Sequence, residues 1–279
     1  MTFSTILIKT KVGGERVEDS LRIADELERH AKIHGFQVIR DIEDADFPDK
    51  TVMIPIGGDG TVLVAAKEAI DKNIPIIGIN IGNLGFLTDL SPTQSREATH
   101  EFFDSLKSGT NLKYDKRTLL TVDVGGKQCL AMNDVVISDV YSDAIIEYEL
   151  HVGESNAGKH KANSVILSTP TGSTAYAMFA GGAIIEPDLD VIEIVPVAAM
   201  SMSARPMIVG GKNEIKVRIT AKAGRQSSVK ADGVPCTVAE HEGDLIVTIR
   251  RLEKKVKLLH AASWNFFDVL TQKLHWNHR

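Results

Sequence analysis

Five consecutive residues, Gly57-Gly58-Asp59-Gly60-Thr61, combine three glycines, a carboxylate and a hydroxyl. Glycines lack a Cβ, so their backbone N–H groups can come close to a phosphate. A helix starting there adds unsatisfied N–H groups and a partial positive charge. A carboxylate in such a loop repels phosphate. It gains a use if it holds Mg2+ or takes the proton of an attacking hydroxyl, which is what phosphoryl transfer requires. The plain alternative is a tight turn with Asp as a turn residue.

A second group is Ser168-Thr169-Pro170-Thr171-Gly172-Ser173-Thr174-Ala175-Tyr176, which follows the apolar run Val165-Ile166-Leu167. One helix cap needs one hydroxyl. The five between positions 168 and 174 exceed that need, so the segment reads as the wall of a polar pocket for a base, a ribose or a phosphate. Asn133-Asp134 offers an amide and a carboxylate, a pair able to grip ribose hydroxyls, although the same pair also makes plain turns. Asn80 to Leu87 is a glycine-containing loop that either joins the site or packs a strand end. His30 and His34, with Glu26 one turn earlier, have metal-ligand spacing on a helix, but their charged surroundings fit a solvated helix end and no zinc spacing is matched. No metal site is therefore expected from protein ligands alone.

Several chemistries are excluded. No Gly-x-Gly-x-x-Gly follows the first strand, and there is no Gly-x-x-x-x-Gly-Lys-Ser/Thr loop. No Gly-x-Ser-x-Gly nucleophile elbow is present.

The elements around these groups follow from hydrophobic periodicity. Residues 5–11, 36–39, 51–56 and 74–79 read as strands, with Pro55 placed where no amide donor is needed. Val17, Leu21, Ala24, Leu27 and Ala31 form one helical face that Gly35 ends. Val62 to Ile70 and Thr93 to Lys107 read as further helices. This alternation predicts a Rossmann-like α/β domain with a parallel sheet over residues 1–110. From Leu119 short β-rich runs dominate, and Gly125-Gly126 is a hairpin signal. Residues 111–263 thus read as a β-rich domain with a short helix from Gly172 to Ala180. Residues 264–275 read as an amphipathic closing helix that packs back on the first domain.

Composition narrows the class. The chain has 279 residues, 43% of them hydrophobic and 25% charged, with a formal net charge of −5. That is ordinary globular composition and excludes a globally basic nucleic-acid binder. No run approaches the ~20 apolar residues of a membrane helix. No signal peptide is read at the N-terminus. Cys129 and Cys236 are the only cysteines; no disulfide framework is read from them, and the expectation is a cytoplasmic protein.

The motifs also occur in a recognisable order. Gly57 to Thr61, Asn80 to Asp89, Asn133-Asp134 and Ser168 to Tyr176 are followed by Ser203-Ala204-Arg205-Pro206 and Ala231-Asp232-Gly233. Over roughly residues 50–275 the chain resembles the ATP-dependent NAD kinases, and most the bacterial ones. Diacylglycerol and sphingosine kinases share the Gly-Gly-Asp-Gly-Thr loop but not the long Thr-Pro-Thr-Gly-Ser-Thr-Ala-Tyr segment. The resemblance implies a site between the two domains and transfer of the ATP γ-phosphoryl group to the 2′-hydroxyl of the adenosine ribose of NAD. Carried over residue by residue, Asp59 is the general base, and Gly57, Gly58, Gly60 and Thr61 admit the phosphates. Asn133 and Asp134 hold the adenosine end, Thr174, Ala175 and Tyr176 line the adenine pocket, and Lys161 lies near phosphate. Asn163 replaces the usual Asp at the nicotinamide end, and Val234 replaces a Gln or Arg. Implied partners are NAD, ATP with Mg2+, and further copies of the chain in a homodimer or homotetramer. Polyphosphate as donor stays open. Two other readings remain at this point. One is a non-catalytic NAD(P) sensor, and the other is a kinase of another small-molecule or lipid acceptor.

Overall fold

The computed structural model describes residues 1–40, 47–82, 85–90, 96–141, 144–220, 226–240 and 243–275. Asn83 and Leu84 of the Asn80–Leu87 loop, and the start of the helix expected from Thr93, lie outside them. The chain divides into two compact units, Met1–Lys116 with Val256–Arg279, and Arg117–Lys255.

The first unit begins with strand β1 (Thr5–Thr10), helix α1 (Val17–Ile33), β2 (Gln37–Arg40), β3 (Thr51–Gly57), α2 (Asp59–Lys72), β4 (Gly78–Asn80), β5 (Thr88–Leu90), α3 (Arg96–Ser108) and β6 (Leu112–Arg117). The five-stranded sheet has the order β2-β1-β3-β4-β5, with every pairing parallel. Both faces of such a sheet must be covered, so its central strands carry apolar runs, Ile6-Leu7-Ile8 in β1 and Val52-Met53-Ile54 in β3. All seven residues of β3 are buried. Ile6, Ile8, Val52, Ile54 and Ile56 are wholly buried in one cluster. Each such side chain contributes about 1.5–3 kcal/mol by leaving water.

Pro55 shapes the next strand. Met53 donates its N–H to the Pro75 carbonyl, and side alternation places the missing N–H of Pro55 on that same edge. The ladder there is an isolated bridge at Ile76, and regular pairing resumes only at Ile56–Ile79. The strand expected over 74–79 is accordingly short.

Helix α1 is rotated from the expected face. Leu21 is exposed, whereas Ser20 and Ile23 are buried. Ser20 Oγ donates to the Ile56 carbonyl (2.7 Å) and accepts from the Lys11 amide (3.0 Å). These bonds satisfy the carboxyl ends of β1 and β3, which explains a buried hydroxyl on an apolar face. Gly35 has φ +73° and closes the helix as expected.

The second unit comprises β7 (Leu120–Val124), β8 (Lys127–Ala131), β9 (Asp134–Asp139), β10 (Ile146–Val152), β11 (Ser155–Ala162), β12 (Ser164–Ser168), α4 (Tyr176–Phe179), β13 (Val191–Val197), β14 (Met207–Gly210), β15 (Ile215–Ile219), β16 (Gln226–Ala231), β17 (Val234–Glu240) and β18 (Leu245–Arg251). A 3-10 turn, Gly172–Thr174, precedes α4. Two antiparallel six-stranded sheets result, β11-β10-β15-β18-β7-β8 and β14-β13-β12-β9-β16-β17. Residues such as Val122 and Leu150 of the first and Ile137 and Val165 of the second share one core. Gly125 and Gly126 both have positive φ, the backbone that a two-residue hairpin turn between β7 and β8 demands.

Cys129 on β8 and Cys236 on β17 are joined in a disulfide, with Cα atoms 6.0 Å apart. It links the outermost strand of one sheet to the outermost strand of the other. The two positions, 107 residues apart, gave no disulfide framework in the sequence.

The chain then returns to the first unit as β19 (Val256–Ala261) and α5 (Phe266–Leu274). Strand β19 pairs with β6. His260 on β19 meets Asp115 on β6 at 3.0 Å. Asn265 caps α5 by accepting from the Phe267 amide. No helix among the described residues is long and apolar enough to cross a membrane.

Candidate active site

In the first unit the site is built by the turn from β3 into α2. Gly57 ends β3, extended Gly58 is the helix N-cap, and Asp59 is the first helical residue. A Cβ on Gly57 would lie 2.7 Å from Thr61 Cβ, so only glycine lets the chain turn so tightly. Gly58 and Gly60 are exposed, which leaves the first amides of α2 open to an anion.

Asp59 is held from the neighbouring loop. Its Oδ2 accepts the Phe86 amide at 2.9 Å and its Oδ1 the Leu87 amide at 3.0 Å. Two amide donors, one on each oxygen, fix the plane of the carboxylate. The approach depends on Gly85, where a Cβ would come within 2.9 Å of Asp59 Cγ and would overlap Oδ1. Of the Asn80–Leu87 segment, Gly85, Phe86 and Leu87 therefore act as the support of Asp59. Lys273 on α5 adds an ammonium 3.3 Å from Oδ2.

Beside this turn lies a cleft of about 420 Å3 lined by Lys9, Lys11, Gly58, Gly60 and Thr61, among others. It sits at the carboxyl ends of β1 and β3, where open α/β sheets bind ligands. A larger hollow of about 660 Å3 lies around Phe3, Lys50 and Thr51. That is the amino end of the same strands, and none of the motif residues reaches it.

The second unit carries candidate residues of its own, around the Asn133-Asp134 turn between β8 and β9. Asp232 stands in left-handed backbone with φ +51°. Its carboxylate accepts the amides of Met132 (2.9 Å), Asn133 (2.7 Å) and Asp134 (3.3 Å). Asp232 and its glycine neighbour stood in the sequence motif without an assigned role, and the structure gives Asp232 this one. Asp134 is 5% exposed. Burial, and then the Asp232 charge, push its carboxyl up to about 7.

The Ser168–Thr174 loop packs on that turn, but not as expected. Ser168, Thr169 and Ser173 are wholly buried. Thr169 Oγ1 donates to the Met132 carbonyl at 2.6 Å and accepts the Gly172 amide at 3.1 Å. Ser173 Oγ donates to the Pro170 carbonyl at 2.7 Å and accepts the Ile185 amide at 2.9 Å. Thr171 accepts from Arg117 at 3.4 Å, a contact that no sequence signal indicated. Thr174 Oγ1 donates to the Thr171 carbonyl at 3.3 Å. The hydroxyls fasten the loop rather than line a pocket, because buried backbone groups need partners. A Cβ on Gly172 would lie 2.5 Å from the Asn133 carbonyl carbon, which ties loop and turn together. Thr174 and Ala175 are half-buried and Tyr176 is exposed; of the segment, these face outward.

Asn163 and Lys161 stand apart from this cluster. Asn163 precedes β12, whose other end, Ser168, pairs with Asp134. The two ends are separated by about 13 Å at ~3.3 Å per residue. The Asn163 amide donates to the Ala144 carbonyl at 3.4 Å. Lys161 on β11 is exposed and paired with Glu147 at 2.9 Å. Exposed Val234 begins β17.

The metal chemistry considered from sequence is not assembled. His34 Nδ1 meets the His30 carbonyl, and its Nε2 meets His100 Nδ1 at 2.8 Å, so His30 and His34 do not converge. No group of three or more metal-ligating side chains occurs among the described residues. Asp59 already takes two amides and an ammonium. That donor set does not suit a resident Mg2+.

Comparison with known proteins identifies the family. The model of the ATP-NAD kinase N-terminal domain matches residues 3–106, and that of the C-terminal domain matches residues 132–261. The chain is 34% identical to the NAD kinase of Azotobacter vinelandii, over 99% of this chain and 97% of the relative. It is 37% identical to that of Psychrobacter arcticus, over 81% of this chain and 69% of the relative. Among solved structures, yeast NADH kinase complexed with NADH superposes with a TM-score of 0.81 at 20% identity, covering 100% of this chain and 89% of that one. The NAD kinase of Archaeoglobus fulgidus in complex with ATP gives 0.71 at 22% identity, covering 97% and 98%; at these identities the likeness shows the fold. With both domain models matched in order and full-length relatives above 30% identity, the chain belongs to the ATP-NAD kinase family.

Proposed function

We propose that the protein is an NAD kinase in which Asp59 takes the proton from the 2′-hydroxyl of the adenosine ribose of NAD. The 2′-oxygen then forms a bond to the γ-phosphorus of ATP. The bond from that phosphorus to the β,γ-bridging oxygen breaks, and NADP and ADP result. The observation that carries this reading is the Asp59 carboxylate, fixed by the Phe86 and Leu87 amides at the carboxyl end of β3 and the start of α2.

Phosphoryl transfer demands positioning and charge neutralisation more than covalent chemistry. The open amides of Gly58 and Gly60 and the flanking Lys9 and Lys11 suit the triphosphate, which brings its own divalent cation. In the second unit, Asn133 and Asp134 suit the adenosine end of NAD. With its carboxyl raised to about 7, Asp134 keeps its proton to higher pH than an ordinary aspartate, and in that form can donate a hydrogen bond to a ribose oxygen as well as accept one. The outward-facing Thr174, Ala175 and Tyr176 suit the adenine. Asn163, one strand length away, suits the nicotinamide end, where it offers hydrogen bonds but no charge to the cationic ring.

The test is to incubate the protein with NAD, ATP and Mg2+ and to assay the product with an NADP-specific dehydrogenase. NADP formation is expected. ATP-dependent phosphorylation of a lipid acceptor with no NADP formed would overturn the assignment. Particle size in solution tests the homodimer or homotetramer that the family resemblance implies.

A further inference from the structure

A carboxylate and a triphosphate are both anionic, yet the proposed chemistry brings them to one edge of one sheet. The two amides on Asp59 orient it without cancelling its charge. Among the described residues one cation pairs with it, Lys273 in the last turn of α5. The two residues are 214 positions apart. The ammonium lies 3.3 Å from Asp59 Oδ2 and 4.5 Å from the centroid of the Phe86 ring. Phe86 is the residue whose amide donates to that same oxygen. Lys273 is thus located from two sides, by the carboxylate and by an aromatic face.

The arrangement also distinguishes the two carboxylate oxygens. Oδ2 receives two donors, Phe86 N and Lys273 Nζ, whereas among the described residues Oδ1 receives only Leu87 N. A carboxylate oxygen accepts about two hydrogen bonds, so Oδ1 is the one with capacity left.

We propose that Lys273 is a positioning residue of the phosphoryl-transfer site. Its ammonium saturates Oδ2, leaves Oδ1 to receive the hydroxyl proton, and offsets the negative charge that would otherwise repel the incoming triphosphate. This rests on Asp59 acting as the base. The C-terminal helix thereby contributes a charge to the motif at residues 57–61, beyond its role in closing the first unit.

The test compares Lys273→Met and Lys273→Gln, which keep the length of the stem, with Lys273→Arg, which keeps the charge. Steady-state kinetics are measured with NAD and ATP varied separately, alongside thermal melting and Asp59→Asn as a reference. Loss of one charge-assisted contact to an ionised group corresponds to about 10- to 100-fold in kcat/KM for ATP. The Met and Gln variants are expected to show that loss, with KM for NAD and the melting midpoint unchanged and with most of the activity regained in the Arg variant. Met and Gln variants with wild-type kcat and KM for ATP would overturn the proposal. So would equal losses in all three variants with a lowered melting midpoint, since that marks a structural role only. If Asp59→Asn is inactive while Lys273→Met is normal, this proposal fails and the base assignment stands. If Asp59→Asn turns over normally, the base assignment fails and takes this proposal with it.

Discussion

Gly85→Ala displaces the reactive carboxylate without touching its charge. Gly85 is buried, and its φ is not among the positive values, so alanine is permitted by the backbone itself. The added methyl would lie 2.9 Å from Asp59 Cγ, against an ordinary contact of 3.4–4 Å, and would overlap Asp59 Oδ1 and Thr88 Oγ1. The Cγ gap alone demands a shift of at least 0.5 Å, from 2.9 to 3.4 Å, and the oxygen overlap demands more. Misplacing a reacting group by about 1 Å costs on the order of 100-fold in rate, or ~2.7 kcal/mol of activation free energy. The assay is kcat for NADP formation at saturating NAD and ATP, with a melting curve for each protein. The expected result is a kcat lowered about 100-fold in a protein that still folds and binds NAD. A wild-type kcat would mean that Asp59 can leave its observed position without consequence, and that its fixed placement is not what drives the reaction.

Asp134→Asn tests the buried acid. With its carboxyl raised from 3.8 to about 7, the native state keeps a proton that the unfolded chain has released. Stability therefore declines as pH rises from about 4 to about 7 and stays reduced above that. Denaturant titrations should find Asp134→Asn more stable than wild type at pH 8 by on the order of 2–4 kcal/mol, with little difference at pH 4; equal stabilities at both pH values would contradict this. Asp232→Ala strips the partner from three amides and leaves alanine in left-handed backbone, so it should destabilise the second unit by at least about 3 kcal/mol, and a loss below 1 kcal/mol would show that water replaces the carboxylate. The Cys129–Cys236 bond spans 107 residues, for which chain entropy gives roughly 4–5 kcal/mol; reductant should lower the melting midpoint of wild type but not of Cys129→Ser, and an unchanged wild-type midpoint would argue against the crosslink.

Local features were the legible ones. The strand, glycine turn and helix that present Asp59 occupy consecutive residues, so composition and periodicity locate them together. The parallel sheet followed from alternating strand and helix patterns, and the Gly125-Gly126 hairpin from two residues able to adopt positive φ. Features that join distant segments were not legible. Nothing in the sequence around Lys273 points to a residue 214 positions away. The inward turn of Ser20 is explained only by carbonyl and amide groups at two strand ends. Strand β11, with its polar sequence Ser155 to Ala162, shows no apolar alternation because it is an exposed sheet edge. The hydroxyls of 168–174 were visible as an excess. Whether they faced a ligand or the loop's own backbone depends on burial, which sequence spacing does not carry.

The most direct test of the central claim is turnover by Asp59→Asn, measured together with NAD binding. Asparagine keeps the shape and accepts one amide but cannot take a proton at neutral pH. NADP formation is expected to fall by about 10²- to 10⁴-fold with NAD binding retained. An Asp59→Asn enzyme that forms NADP at the wild-type rate would contradict that claim.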